Sequence, residues 1–383
     1  MPTNKSRFLS ALQLLFLCLL AFSILRAPAS ACSYGALALQ LWFEKMIPSL
    51  FPFMVLSGLI VRLNLGRDIS LPAYPLLGRL YRISRTMCTT LITGFLFGFP
   101  LGAKTIAEQY SLGQLSREQA QYLLSFCNNI GPVYLLSFAL PLLGLSDTAE
   151  NHLLRTAVIL AFFGIPLLYG LVLRHTVYHS MAFSAENSPV PASASISYPK
   201  TASARAGFPH AKTTAPLSAA SSRKRRAIIP LTAPSRRIPG TAAFSAAMPT
   251  YGTASLAGER NVPAALSFIP ALDASVTSAC AAITRLGGYM VFFMVCNLLF
   301  EKTPFAVFLA PVLEITSGLT LAKDALSPAL FMTMLTFGGL SCFAQTYTCI
   351  RDTDLSFGNY CLHKLLQSAT AFFLYTLLFS AAF

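Results

Sequence analysis

The stretch from Gly94 to Pro141 most constrains what this chain can become, because its apolar runs are interrupted where an ordinary helix would continue. GFLFGFPLGAK (Gly94 to Lys104) sets Gly94, Gly98, Pro100 and Gly102 inside one run, and SFCNNIGP (Ser125 to Pro132) sets Asn128, Asn129, Gly131 and Pro132 inside the next. Each break frees backbone N–H and C=O groups. In a membrane that is tolerated only where the break is buried in protein or lines a wet cavity. Polar breaks at corresponding positions of two halves point to a binding site near the bilayer midplane.

The premise that the solvent is lipid rests on composition. The chain is 55% hydrophobic and only 11% charged over 383 residues, more apolar surface than one soluble core absorbs. An all-α polytopic membrane protein is expected. A net charge of +14 would suggest nucleic acid in a soluble protein, but here Lys and Arg gather in connecting segments, where they set orientation. No nucleic-acid partner is expected. Nine cysteines without a C-x-x-C, and without H-E-x-x-H, G-x-S-x-G or a P-loop, predict free thiols, no catalytic residues, no metal and no cofactor.

In chain order, Lys5 and Arg7 precede the apolar run Phe8 to Leu25, which reads as a first span. Ala29-Ser30-Ala31 behind it keeps a signal-peptidase reading open, and Cys32 adds a faint lipoprotein-box reading. Leu37 to Met46, with Trp42, Glu44 and Lys45, reads as an interfacial turn before a second span, Ser49 to Leu65. Arg67, Arg79, Arg82 and Arg85 then form a short basic connection, cytoplasmic by the positive-inside rule. Thr89 to Ala103, a broken span Tyr122 to Leu143 and a span Leu153 to Leu173 follow. From Thr176 to Pro270 the composition turns to Ser, Ala, Pro and Thr, with ten basic residues against two acids, the mark of a disordered loop. If that loop is cytoplasmic too, three apolar segments must make an even number of crossings. Thr89 to Ala103 is therefore expected to enter and return on one side.

The second half repeats the pattern. Ser275 to Phe300 reads as a span, Phe305 to Ala322 as a second hairpin interrupted at Pro311 and LEITSG (Leu313 to Gly318), Phe331 to Ile350 as a span broken at Gly338 and Gly339, and Leu362 to Phe379 as the last crossing. The expected fold is an inverted repeat of re-entrant hairpin plus broken transmembrane helix. Its parts are a membrane half 1–175, a basic loop 176–270 and a membrane half 271–383.

The segments GFPLGAK, LLSFCNNIGP, LEITSG, FGGLSCFAQ and DLSFGNYCLHKLL (Asp354 to Leu366) resemble the YlbJ/SpoVV sporulation integral membrane proteins of the nucleoside-recognition, or Gate-domain, superfamily. The resemblance covers nearly all of the chain except Thr176 to Pro270. It implies movement of dipicolinic acid across the outer forespore membrane, and a fold similar to the concentrative nucleoside transporters. A transporter of nucleosides or another small polar solute, or a non-transporting scaffold, are the alternatives.

Ligand contacts are expected from chemistry alone. Lys104 offers a cation to a small anionic substrate, unless it snorkels to the headgroups. Asn128, Asn129, Thr316, Ser317 and Gln345 offer hydrogen bonds, though helix packing uses the same groups. Glu314, a carboxylate in an apolar stretch, is expected to carry a coupling proton, bind a cation or pair with Lys104. Gly98, Pro100, Gly102, Gly131, Pro132, Gly318, Gly338 and Gly339 are the breaks. His363 and Lys364 read as a basic helix end. Besides the bilayer, the 176–270 loop is a candidate for anionic-lipid contact.

Overall fold

Serine and proline set where many helices begin. Ser84 and Ser327 each accept a hydrogen bond from the backbone N–H three residues on, at 3.3 Å, and Ser116 closes a capping box with Gln119. Pro132 and Pro328 stand at first helical positions, where a missing N–H costs nothing. The protein is represented by a computed structural model that describes residues 4–63, 65–148, 151–181 and 267–382. Its helices are α1 (Asn4–Arg26), α2 (Pro28–Arg62), α3 (Gly66–Ser70), α4 (Tyr74–Tyr81), α5 (Arg85–Phe97), α6 (Leu101–Ser111), α7 (Arg117–Leu124), α8 (Pro132–Leu142) and α9 (His152–Thr176). Then come α10 (Phe268–Leu299), α11 (Ala306–Leu313), α12 (Ile315–Ala322), α13 (Pro328–Phe337), α14 (Gly339–Ile350) and α15 (Phe357–Ala382). No strand occurs among the described residues.

Five helical stretches (α1, α2, α9, α10 and α13 with α14) are long and apolar enough to cross a membrane, and α15 has 26 residues where about 20 suffice. The protein is an all-α polytopic membrane protein. Burial sorts these stretches by role. Along α1 only 6% of the apolar window is buried, and Phe8 and Leu25 stand 73% and 81% exposed, a surface suited to hydrocarbon. The α13–α14 stretch is 72% buried, so its broken backbone is enclosed by protein as the membrane demands.

Two helix pairs are hairpins. Thr90, nine residues before Phe99, donates to Gln109, nine residues after Pro100, at 2.5 Å. A Cβ on Gly94 and one on Gly102 would both lie within 3.0 Å of the Cys127 carbonyl oxygen, although eight residues of straight helix would hold them about 12 Å apart. The chain therefore turns back at Phe99-Pro100, and its arms α5 and α6 reach beyond the expected Thr89 to Ala103. Likewise a Cβ on Gly318 would sit 2.4 Å from the Ala310 carbonyl, which makes Glu314 the tip of the hairpin α11–α12.

The hairpins are inverted. At the foot of the first, Tyr110 donates to Asp354 at 2.6 Å; Arg117, opening α7, meets the same carboxylate at 3.1 Å. So α7–α8 begins on the face where α13–α14 ends, and the two broken spans run antiparallel. The second hairpin joins α13 through residues 323–327 and has its feet on the other face. Arg174, near the end of α9, donates to the Tyr81 and Arg82 carbonyls at 3.0 and 3.3 Å, and Gly58 near the end of α2 packs on Ser275 near the start of α10. The basic connection after α2, the end of α9 and the start of α10 share one face.

Three expectations are corrected. Leu37 to Met46 is no turn: it lies inside α2, where Trp42 donates to the Ile283 carbonyl at 2.9 Å and its ring stacks against Gly287. Polar residues there read as an interface because the packing of α2 on α10, which shelters the indole, is not local. The long span expected from Ser275 begins at Phe268. His363 and Lys364 are not a helix end: they sit two turns inside α15, both buried. The expected loop Thr176 to Pro270 falls almost wholly outside the described residues.

Candidate functional site

All four breaks meet. Phe99 N–H at the first hairpin tip donates to the Asn129 carbonyl at 2.7 Å. Gly98, at φ +71°, lies where a Cβ would strike the Gly131 nitrogen at 2.3 Å. A Cβ on Gly339 would touch Ile315 N and Pro311 O at 3.1 Å, so the second tip lies against the second break, and the Phe99 ring lies 3.1 Å from the Cβ position of Gly338. Only glycine permits these approaches, and Gly98, Gly338 and Gly339 also need the positive φ that glycine adopts freely. Across the halves, Asn128 Nδ2 donates to Thr346 Oγ1 at 2.8 Å and Tyr134 Oη to Thr316 Oγ1 at 3.2 Å.

The asparagines hold the first break together. Asn128 Oδ1 accepts from Ala103 N–H at 3.2 Å near the start of α6, and Asn129 Nδ2 donates to the Phe126 carbonyl at 2.6 Å. The carbonyls freed between α7 and α8 are met from α15: Lys364 Nζ donates to Asn128 O at 3.2 Å and Asn129 Oδ1 at 2.7 Å, while Gln367 Nε2 donates to Ser125 O at 2.6 Å. Lys364 is 2% exposed and packs on the Phe99 ring, 5.1 Å from its centroid. No ion pair reaches it among the described residues.

Glu314 is also 2% exposed. Its carboxylate accepts from Thr316 and Ser317 N–H at 3.1 and 2.6 Å, capping α12 where the helix dipole favours a negative charge. It does not pair with Lys104. That ammonium stands apart from the breaks, about a third exposed, on Ser278 at 2.6 Å and Glu108 at 3.7 Å. The cation placed among the breaks is thus Lys364. A sequence signal for it existed: His363, Lys364, Gln367 and Ser368 form a polar stripe on an apolar helix.

Glu314, Thr316, Gln345, Ser341, Tyr134 and Phe99 line a small cavity between the halves. It offers water centres about 40 Å³, and one water needs roughly 10–15 Å³ on that measure. The site therefore has room for a few waters. Gln345 is buried in the cavity wall, and its Nε2 has no hydrogen-bond partner among the described residues. Tyr134, Ser341 and Gln367 were not singled out in the sequence, although Tyr134 and Ser341 each stand two residues after a break, at Pro132 and Gly339. No three His, Cys, Asp or Glu among the described residues gather as a metal site.

These contacts define an integral membrane protein built from two inverted hairpin-and-broken-span units with polar groups gathered at their junction. Over 132 residues the chain is 28% identical to the sporulation integral membrane protein YlbJ of Bacillus subtilis (strain 168), covering 34% of this chain. The chain spans about a third of that relative's length, 32%. The likeness is that of a distant homologue, and it is to an integral membrane protein of sporulation. No family model matches the chain, and no solved structure matches it.

Proposed function

We propose that this protein transports a small anionic solute, dipicolinic acid in a sporulating cell, across the outer forespore membrane. One observation carries the reading: breaks from two inverted halves converge on a small cavity with polar groups in its wall, with a buried carboxyl group, Glu314, lining it and a buried amine, Lys364, packed on its Phe99 wall. Inverted halves that share a midplane site expose it to one face and then the other by rocking as bodies. The likeness to YlbJ supports the sporulation setting, and the motif resemblance supports dipicolinate and the Gate-domain superfamily.

A dicarboxylate needs positive potential where it binds. Lys364, held against the cavity-lining Phe99, supplies it together with N–H groups at the helix starts meeting there. Glu314 beside such a ligand repels it unless it carries a proton or a cation, which couples transport to that ion. The test is uptake in proteoliposomes. Dipicolinate should accumulate above protein-free vesicles, Lys364→Gln should abolish it, and Glu314→Gln should bind substrate yet lose the pH dependence of transport. Loss in Lys104→Gln with retention in Lys364→Gln returns the cation's role to Lys104. Competition by nucleosides selects the nucleoside alternative, and no uptake of either solute leaves a scaffold.

A further inference from the structure

A second polar site lies on the other side of the first hairpin, at the level where spans end. Between the basic connection and the end of α9 a groove is lined by Tyr74, Pro75, Gly78, Arg79, Arg82 and Arg174. No carboxylate lines it. Arg79 and Arg82 are exposed, and no salt bridge is formed by either among the described residues. Arg174 is 3% exposed and, among the described residues, donates only to neutral oxygens, the carbonyls of Tyr81, Arg82, Tyr178 and Met181. Among the described residues no carboxylate pairs with it at the wall of the groove. The Tyr74 ring covers Gly78, 2.8 Å from its Cβ position, with the Arg85 guanidinium 5.2 Å from the ring centroid.

The surface around this groove says what kind of anion fits. Leu71, Leu76 and Leu80 stand 58%, 69% and 45% exposed, and Leu76 and Leu80 share the outer face of α4 with Arg79. Leucines and arginines mixed on one outward helix face are the pattern of a segment lying in the membrane interface, its apolar side chains in the acyl boundary and its cations among phosphates. We propose that this groove binds the phosphate of an anionic lipid headgroup, with Arg79 and Arg82 as donors and Arg174 as a fixed buried charge.

Native mass spectrometry of the full chain in detergent tests this, with phosphatidylglycerol, phosphatidylcholine and inorganic phosphate as probes. Phosphatidylglycerol should bind in preference to phosphatidylcholine, and Arg79→Gln/Arg82→Gln should weaken it roughly 30-fold. Arg79→Lys/Arg82→Lys should keep most of the affinity, since the charge is retained. Should the double Gln variant unfold, Arg79→Gln alone should cost roughly fivefold. Equal binding of phosphatidylcholine, or an unchanged phosphatidylglycerol affinity in a folded Gln variant, overturns the proposal. Displacement of the lipid by millimolar inorganic phosphate, with the same arginine dependence, reassigns the groove to free phosphate and overturns it as well.

Discussion

At the scale of single residues, the lysine expected from the sequence to meet substrate and the one read as a basic helix end occupy opposite situations. Lys104 follows a glycine-rich break, yet its ammonium sits on Ser278 and Glu108 in a partly exposed position, where an ion pair contributes about 0–1 kcal/mol. Lys364 follows nothing unusual, yet it satisfies two buried oxygens at the first break. Replacing it by Met leaves both acceptors without a partner, at about 1–3 kcal/mol each. Lys364→Met should therefore lower the thermal midpoint in detergent by several degrees, while Lys104→Met barely moves it. Equal shifts in scanning fluorimetry would show that Lys364 has water or another donor to replace it.

At the scale of elements, the hairpins depend on backbone approaches that admit no side chain. A methyl on Gly318 would meet the Ala310 backbone at 2.4 Å, and neither arm can yield without opening the tip that Glu314 caps. Overpacking of this kind costs about 1–3 kcal/mol, more where backbone must move. Gly318→Ala and Gly98→Ala should each reduce the yield of monodisperse protein on size exclusion. Gly288→Ala, with nothing within 4 Å of the added methyl, should express as the parent does. A normal Gly318→Ala profile would contradict the hairpin geometry. The glycine breaks were readable because Gly and Pro interrupt an apolar run visibly; the reach of the arms, Arg85–Phe97 and Leu101–Ser111, was not, since polar residues near a hairpin foot resemble loop.

For the whole molecule, the contacts divide its loops between two faces. Gly113 between α6 and α7, Asp352 after α14 and Arg82 belong to one; Lys302 before α11 and Lys323 after α12 belong to the other. By the positive-inside rule, arginine density on the first face predicts that it is the cytoplasmic one. In a cysteine-free background, single cysteines at 302 and 323 should react with a membrane-impermeant maleimide in intact cells, and those at 113, 352 and 82 only after permeabilisation. Labelling of 113 and 323 from the same side would rule out the inverted arrangement.

Apolar length and the Gly/Pro interruptions are local properties, so the sequence by itself determined an all-helical membrane protein with two broken-helix units. What it could not determine is which donor meets which freed backbone group. Asn128 and Thr346 are 218 positions apart, and Lys364 and Asn128 are 236 apart. A carbonyl released at a break in lipid must find a partner inside the protein, and many polar side chains in an apolar chain are eligible. Only the packing of α15 against the first break, and of one hairpin tip against the other half, selected Lys364 over Lys104 and set Gln345 in the cavity wall.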